Sequence, residues 1–250
     1  MKYTLTLFIF ILSIHCSFAQ ETTYIIDYDL KKAFKQSPTS FTSPSSLFIQ
    51  PKNSALYKIK YGATPEEKVE DPNNLPQGNV IVVEGSDAFY FRKEGDTTLI
   101  YDDHIIFRHF TVKDQPKFNW TLTNDSKKVL GYNCQKATAN FRGRTYEAYF
   151  TADLGIQGAP WKFYGLPGLI LHVYSIDGVF EITATGINTV KDIEPLENPL
   201  DTTKMITWEQ YKKKYERKYY GLMNMVIGDG HGNSASMPKM QLELLVEDRN

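Results

Sequence analysis

From Val80 to Ile187 apolar and polar residues alternate in short runs separated by turn residues, the pattern of an antiparallel meander. In 136–141, Ala137, Ala139 and Phe141 point one way and Lys136, Thr138 and Asn140 the other, which is the two-residue period of a strand. Three pairs of runs flank tight links. Residues 88–93 and 97–102 enclose Glu94-Gly95-Asp96, 134–141 and 144–151 enclose Arg142-Gly143, and 169–176 and 179–187 enclose Asp177-Gly178. A glycine pair between apolar runs is a hairpin signal, because such turns need a residue at positive φ. Upstream, 23–30, 46–50 and 54–62 read as further extended runs. Residues 36–46, with Pro38 and Pro44, read as a polar loop, and 62–79, with three prolines and almost nothing apolar, as a mobile surface loop.

One helix is predicted. Thr207 and Gln210 form a T-x-x-Q capping box, and Trp208, Tyr211, Tyr215, Tyr219 and Leu222 follow at helical spacing. The opposite side is basic, with Lys212, Lys213, Lys214, Arg217 and Lys218. A glycine-rich loop at 228–238 and a final strand at 240–248 complete the reading. Residues 169–176 (LILHVYSI) are apolar on both faces, so both faces of that strand must be covered. The expected fold class is therefore mainly β, with a minor α component. It is a curved antiparallel meander sheet or open barrel, with the C-terminal helix packed in its concave face and its ring-bearing stripe covering that strand.

The ends and the composition refine this picture. Lys2, the apolar run Leu5 to Ile14, and the small residues of Ser17-Phe18-Ala19 make residues 1–19 a signal peptide, with 20–250 as one β-rich domain. Ten helical residues reach about 15 Å, half of a ~30 Å hydrocarbon core, so the run cannot span a bilayer. Lipidation at Cys16 is disfavoured by the bulky, polar His15. The protein is expected to be exported, periplasmic or extracellular, with no transmembrane segment after cleavage. Removing Lys2 from 28 Lys and Arg leaves 27 against 29 Asp and Glu, which gives no pull toward nucleic acid. Cys134 is the one cysteine left, so no intrachain disulfide forms and the core must supply the stability. The 16 Tyr and 15 Phe suit half-wet strand surfaces.

Gly165-Leu166-Pro167-Gly168-Leu169-Ile170 stands just before the two-sided strand. Pro167 and Gly168 suit the central positions of a type II turn, Gly168 taking the positive φ, and Leu169 and Ile170 then enter the strand. The hexapeptide and the 50 or so residues around it resemble the GLPGLI family of exported bacterial proteins. That resemblance implies a secreted β-rich protein without an assigned activity, and it carries over no catalytic residues.

Little else suggests chemistry. His172, Asp177 and Cys134 permit a cysteine hydrolase to be drawn, but the simpler reading of Cys134 is a small buried hydrophobe. His231 with Met223, Met225, Met237 and Met240 offers soft ligands for copper, at spacings that match no compact site. His104 and His109, placed on one strand, would lie on opposite faces. No metal site, cofactor or catalytic residue is assigned. Trp161, Phe163 and Tyr164 crowd a loop that is either a recognition patch or a plug closing the sheet, and Trp208, Tyr211 and Tyr215 join them as candidate ligand or partner contacts. The residues alone thus point to a non-enzymatic binding or assembly module for an apolar ligand or another envelope protein. The alternatives are a hydrolase using Cys134 and His172, or a copper-handling protein using the Met- and His-containing C-terminal region.

Overall fold

The computed structural model describes residues 22–33, 40–51, 54–61, 87–93, 95–106, 108–191, 193–223 and 243–246. The expected signal peptide, the expected loops at 62–79 and 228–238 and most of the expected strand at 240–248 lie outside them, as does the side chain of Leu222. Among the described residues twelve strands form one sheet: β1 (Thr22–Ala33), β2 (Ser40–Gln50), β3 (Ser54–Ile59), β4 (Ala88–Lys93), β5 (Leu99–Ile105), β6 (Arg108–Asp114), β7 (Thr121–Val129), β8 (Tyr132–Phe141), β9 (Arg144–Thr151), β10 (Leu169–Ser175), β11 (Phe180–Lys191) and β12 (Ile206–Thr207). The described helix, α1 (Trp208–Met223), follows. The order across the sheet is β12-β6-β5-β4-β3-β2-β1-β11-β10-β9-β8-β7. Every pairing is antiparallel except that of β12 with β6.

This order forces curvature. β6 and β7 stand ten strand steps apart, about 48 Å in a flat sheet, yet residues 115–120 alone join them. Seven Cα steps reach only about 25 Å. The sheet must bend until its two ends approach one another, and Phe118 in that connection stacks on Phe141 of β8 at 4.0 Å between ring centroids. The fold is the expected large, curved, open β-sheet with one C-terminal helix.

Turn chemistry sets the register. Arg142 and Gly143 both take positive φ, 41° and 83°, as the two-residue hairpin between β8 and β9 requires. Leu130 and Gly131, at 50° and 86°, make the same turn between β7 and β8. Burial alternates along the strands, and the inner face of β1, β3, β4 and β5 carries contiguous rings: Tyr28 to Tyr57 at 6.3 Å, Tyr57 to Tyr90 at 6.0 Å, and Tyr90 to Tyr101 at 5.4 Å. Their hydroxyls are satisfied inside, as buried tyrosines demand. Tyr28 donates to the Ile170 carbonyl and Tyr57 to the Ser45 hydroxyl, each at 2.8 Å.

Two local readings change. Residues 40–46 are not loop but the first half of β2, where Ser40 and Thr42 are exposed, Ser43 and Ser46 half-buried and Ser45 buried. Pro44 lies past the first β2–β3 pair, Ser45↔Ile59, so its missing N–H costs that ladder nothing. The capping box of α1 is formed, with Thr207 N–H donating to Gln210 Oε1 at 3.0 Å and Gln210 N–H to Thr207 Oγ1 at 3.3 Å. Trp208, Tyr211, Tyr215 and Tyr219 are buried, but α1 neighbours β6 and β12 rather than β10. Trp161, Phe163 and Phe180 pack together beside β9 and β10 instead.

Candidate functional site

Residues directly opposite in an antiparallel pair share a face, so the register of β7–β11 assembles one polar surface on the side turned away from buried Tyr146. Lys136 opposes Tyr149, Tyr149 opposes His172, and Tyr174 stands between Glu147 and Glu181. The strand β10 is buried on both faces, as its apolar run predicts, and on this side its cover is made of these side chains. The Tyr149 and His172 rings stack at 5.8 Å and the Lys127 ammonium sits 3.9 Å from the Tyr149 centroid. Tyr174 donates to Glu147, while Lys136 spans Asp125 at 2.9 Å and Glu147 at 3.4 Å.

The contacts fix the state of His172. Lys127 has only donors and lies 2.5 Å from Nδ1, so Nδ1 accepts; the Glu181 carboxylate, 2.8 Å from Nε2, accepts, so Nε2 carries the proton. The ring is neutral. Burial pushes its pKa below the usual histidine value, and the Lys127 charge works in the same direction against Glu181. Burial and Glu147 raise the Tyr174 hydroxyl above its usual value, so it stays a donor. The face thus offers two proton-sharing pairs, His172–Glu181 and Tyr174–Glu147, beside an aromatic ring. Proton-detected titration of His172 is expected to give a midpoint below the ordinary value of about 6.5. Glu181→Gln should lower the midpoint further and Lys127→Met raise it; a wild-type midpoint at or above the ordinary value would refute this arrangement. The sign for stability follows. The unfolded chain takes up the His172 proton first, so this group's contribution declines as pH falls from the ordinary histidine range toward the lowered folded value.

A second cluster lies inside the sheet. Lys162 is 1% exposed, and its ammonium donates to Glu243 and to the Tyr101 hydroxyl at 2.8 Å, with Asp114 at 3.6 Å. Arg142 meets Asp114 through both terminal nitrogens, at 2.8 and 2.7 Å, and Glu243 at 2.8 Å. The Trp208 ring lies over both cations, 3.9 Å from the Arg142 guanidinium carbon and 4.6 Å from the Lys162 nitrogen. Burial alone would raise the Asp114 carboxyl, yet Arg142 and Lys162 hold it below the usual carboxylate range. These groups tie β5, β6, the β8–β9 turn, the 161–163 loop, α1 and the 243–246 segment together where the two ends of the sheet meet. Lys162, Asp114 and Glu243 are buried and the Arg142 side chain is 20% exposed, so the cluster acts as a largely internal clasp.

The sequence-predicted residues divide between core and surface. Trp161, Phe163, Trp208, Tyr211 and Tyr215 are buried, and Tyr164, 39% exposed, lies beneath the Arg92 guanidinium at 4.5 Å. In the hexapeptide, Leu166, Leu169 and Ile170 are buried. The turn differs from type II: the positive φ belongs to Gly165, at 97°, and Gly168 N–H donates to Leu166 O across Pro167 at 2.9 Å. Glycine is needed at 168 because a Cβ there would stand 2.2 Å from the Thr151 carbonyl oxygen. Cys134 is buried with a thiol pKa raised by burial, both His172 nitrogens are engaged elsewhere, and Asp177 pairs with Arg144, so no Cys-His-Asp relay forms. His104 and His109 are not on one strand: a turn at Ile106, φ 57°, makes them directly opposed partners of a β5–β6 hairpin with rings 6.1 Å apart. Among the described residues no group of three or more His, Cys, Asp or Glu could hold a metal, and Met225, His231, Met237 and Met240 lie outside them. No helix of the described chain is long and apolar enough to cross a membrane.

The polar face and the clasp were not legible as sites. Their signals were the alternation of His172 and Tyr174 with apolar neighbours, and a lysine set between Trp161 and Phe163.

Comparison with curated proteins gives no match. Two solved structures of PNGF-II, in the P21 and C2 space groups, are similar over 79% of this chain, at 20% and 18% identity with TM-scores of 0.49 and 0.47. The chain spans about a third of each, 34% and 33% of their length. Residues 67–213, more than half of the chain, match the family described as N-glycanase peptide, N-terminal domain. This match overturns the GLPGLI assignment; the hexapeptide is a turn and strand start in which Leu166, Leu169 and Ile170 are buried and Gly165 and Pro167 exposed. It equally overturns the reading of the chain as a non-enzymatic binding or assembly module. On the match over 67–213, the chain belongs to the N-glycanase peptide, N-terminal domain family.

Proposed function

We propose that this chain takes part in the hydrolytic removal of N-linked glycans from glycoproteins outside the cytoplasm, as a domain of an N-glycan hydrolase whose β7–β11 face meets the carbohydrate. The family match over 67–213 carries this reading. The chemistry of the face supports it. Sugars present hydroxyls that need both donors and acceptors, and a ring face of C–H groups that packs on aromatic surface. Glu147, Glu181, Lys136 and Tyr174 supply the first, and the half-buried Tyr149 ring, reached by displacing the Lys127 ammonium that lies over it, supplies the second. Hydrolysis of a glycosylated amide also needs proton transfer to and from the reacting atoms, which the His172–Glu181 and Tyr174–Glu147 pairs are equipped to serve.

A fluorescent neutral N-glycopeptide tests this by polarisation, with free glycan followed by mass spectrometry. The expected result is retention of the glycopeptide, weakened about tenfold, or ~1.4 kcal/mol, by Tyr149→Ala. Glycan release by the chain alone would assign it the hydrolytic step, and retention without release would assign that step to a further part of the hydrolase. Neither retention nor release would end the reading.

A further inference from the structure

The basic side of α1 is not a uniform solvated surface. Gln210, Lys213, Lys214 and Arg217, at positions i, i+3, i+4 and i+7, line an open groove of about 460 Å³ whose fifth wall is the half-buried Ile206 of β12. Three cationic side chains therefore border one hollow. Among the described residues none of the three is in an ion pair; Lys214 lies over the Phe110 ring at 6.0 Å, and Gln210 uses only its Oε1 on the Thr207 N–H. Positive charge gathered at that spacing without carboxylate partners repels itself by a few tenths of a kcal/mol per pair, a cost that an anion in the groove would remove.

We propose that this groove binds the acidic terminal sugars of N-glycans, meaning residues that carry a carboxylate or a sulfate. The inference rests on the N-glycan reading above and extends it to a second place on the domain. Arg217 offers the planar fork that pairs with a carboxylate or sulfate through two bonds, and Lys213 and Lys214 add point charges. Ile206 gives the apolar surface that a pyranose ring covers, and the Gln210 amide N–H groups reach its hydroxyls. The volume falls within the ~300–1,000 Å³ of small-ligand sites, whereas a protein partner needs a contact on the order of 1,000 Å² or more. A membrane surface is a poor fit. An interfacial helix must bury an apolar face in lipid, and Trp208, Tyr211, Tyr215 and Tyr219 are already buried in the domain.

Titration of the full chain with sialyllactose against neutral lactose is the test, repeated for Lys213→Glu and Arg217→Glu. Lys213 and Arg217 are exposed, so both variants should keep the wild-type circular dichroism spectrum and melting point. Sialyllactose should bind at least about tenfold more tightly than lactose, each variant should abolish that preference, and added salt should weaken it. Arg217→Lys should retain part of the binding. Equal affinity for the two sugars, or a preference that survives charge reversal, overturns the proposal. So does response only to phosphatidylserine-containing vesicles or only to a poly-glutamate peptide, since each assigns the groove another occupant. The neutral glycopeptide and Tyr149→Ala report separately on the β7–β11 face. Loss of that signal with the sialyllactose preference intact would remove the N-glycan reading and leave the acidic-sugar site standing.

Discussion

Gly168→Ala is expected to destabilise the domain by about 3 kcal/mol or more, at the upper end of single substitutions. The added Cβ would lie 2.2 Å from Thr151 O, 2.7 Å from Thr151 C and 3.1 Å from Ala152 N, so it meets backbone rather than a side chain that can swing away. Thr151 ends β9 and opposes Leu169, the first residue of β10, so relief requires parting that pair. The pair sits above the inner core, where Leu169 and Leu171 are fully buried. Chemical denaturation measures the effect, and Gly165→Ala is the control. Gly165 takes a positive φ of 97° but has only the Trp120 side chain nearby, at 3.8 Å, so it should lose just the ~1 kcal/mol of left-handed strain. A Gly168→Ala midpoint close to wild type would show that β9 and β10 are not locked at this point.

Lys162→Met is expected to cost about 3–5 kcal/mol, because it leaves Asp114 and Glu243 buried with Arg142 as their remaining cation. Methionine fills most of the volume, so the loss reports charge rather than a cavity. The double variant Lys162→Met/Glu243→Leu should lose less than the sum of the two singles, since it removes both members of the pair. A Lys162→Met protein within about 1 kcal/mol of wild type, or strict additivity, would mean that the clasp does not hold the sheet ends together.

Hairpins were the most legible part of the sequence, and turn chemistry explains why. Glu94-Gly95-Asp96, Arg142-Gly143 and Asp177-Gly178 advertise positive φ through glycine, and each joins two strands of the sheet. The Leu130-Gly131 hairpin was harder to see, because leucine seldom takes the φ of 50° it has there and β7 has almost no apolar alternation. Serine and proline hid the start of β2 for a related reason: propensity reads them as loop, while pairing with β1 overrides it. The ring stripe of α1 was readable from its spacing, but its seat was not. Long-range order places the helix against β6, and nothing local in 207–222 encodes that strand. The polar face was missed because its members come from five strands and meet only once the register is set. Lys162, Asp114, Arg142 and Glu243 are spread over 130 residues of chain, and single charges of this kind look like solvated surface until the fold buries them.

An unclosed sheet keeps two borders, and each exposed row of unpaired amides is a template on which another chain can add. Here one border is β6, paired at Val112 and Lys113 with the two-residue β12, which runs straight into α1. The other is β7, whose pairing with β8 is broken by an irregularity between Leu122 and Ser126 and whose residues include Asp125, Lys127 and Lys128. A short strand at one margin and a charged, bulged one at the other deny intermolecular strand addition, so the open architecture persists without inviting aggregation.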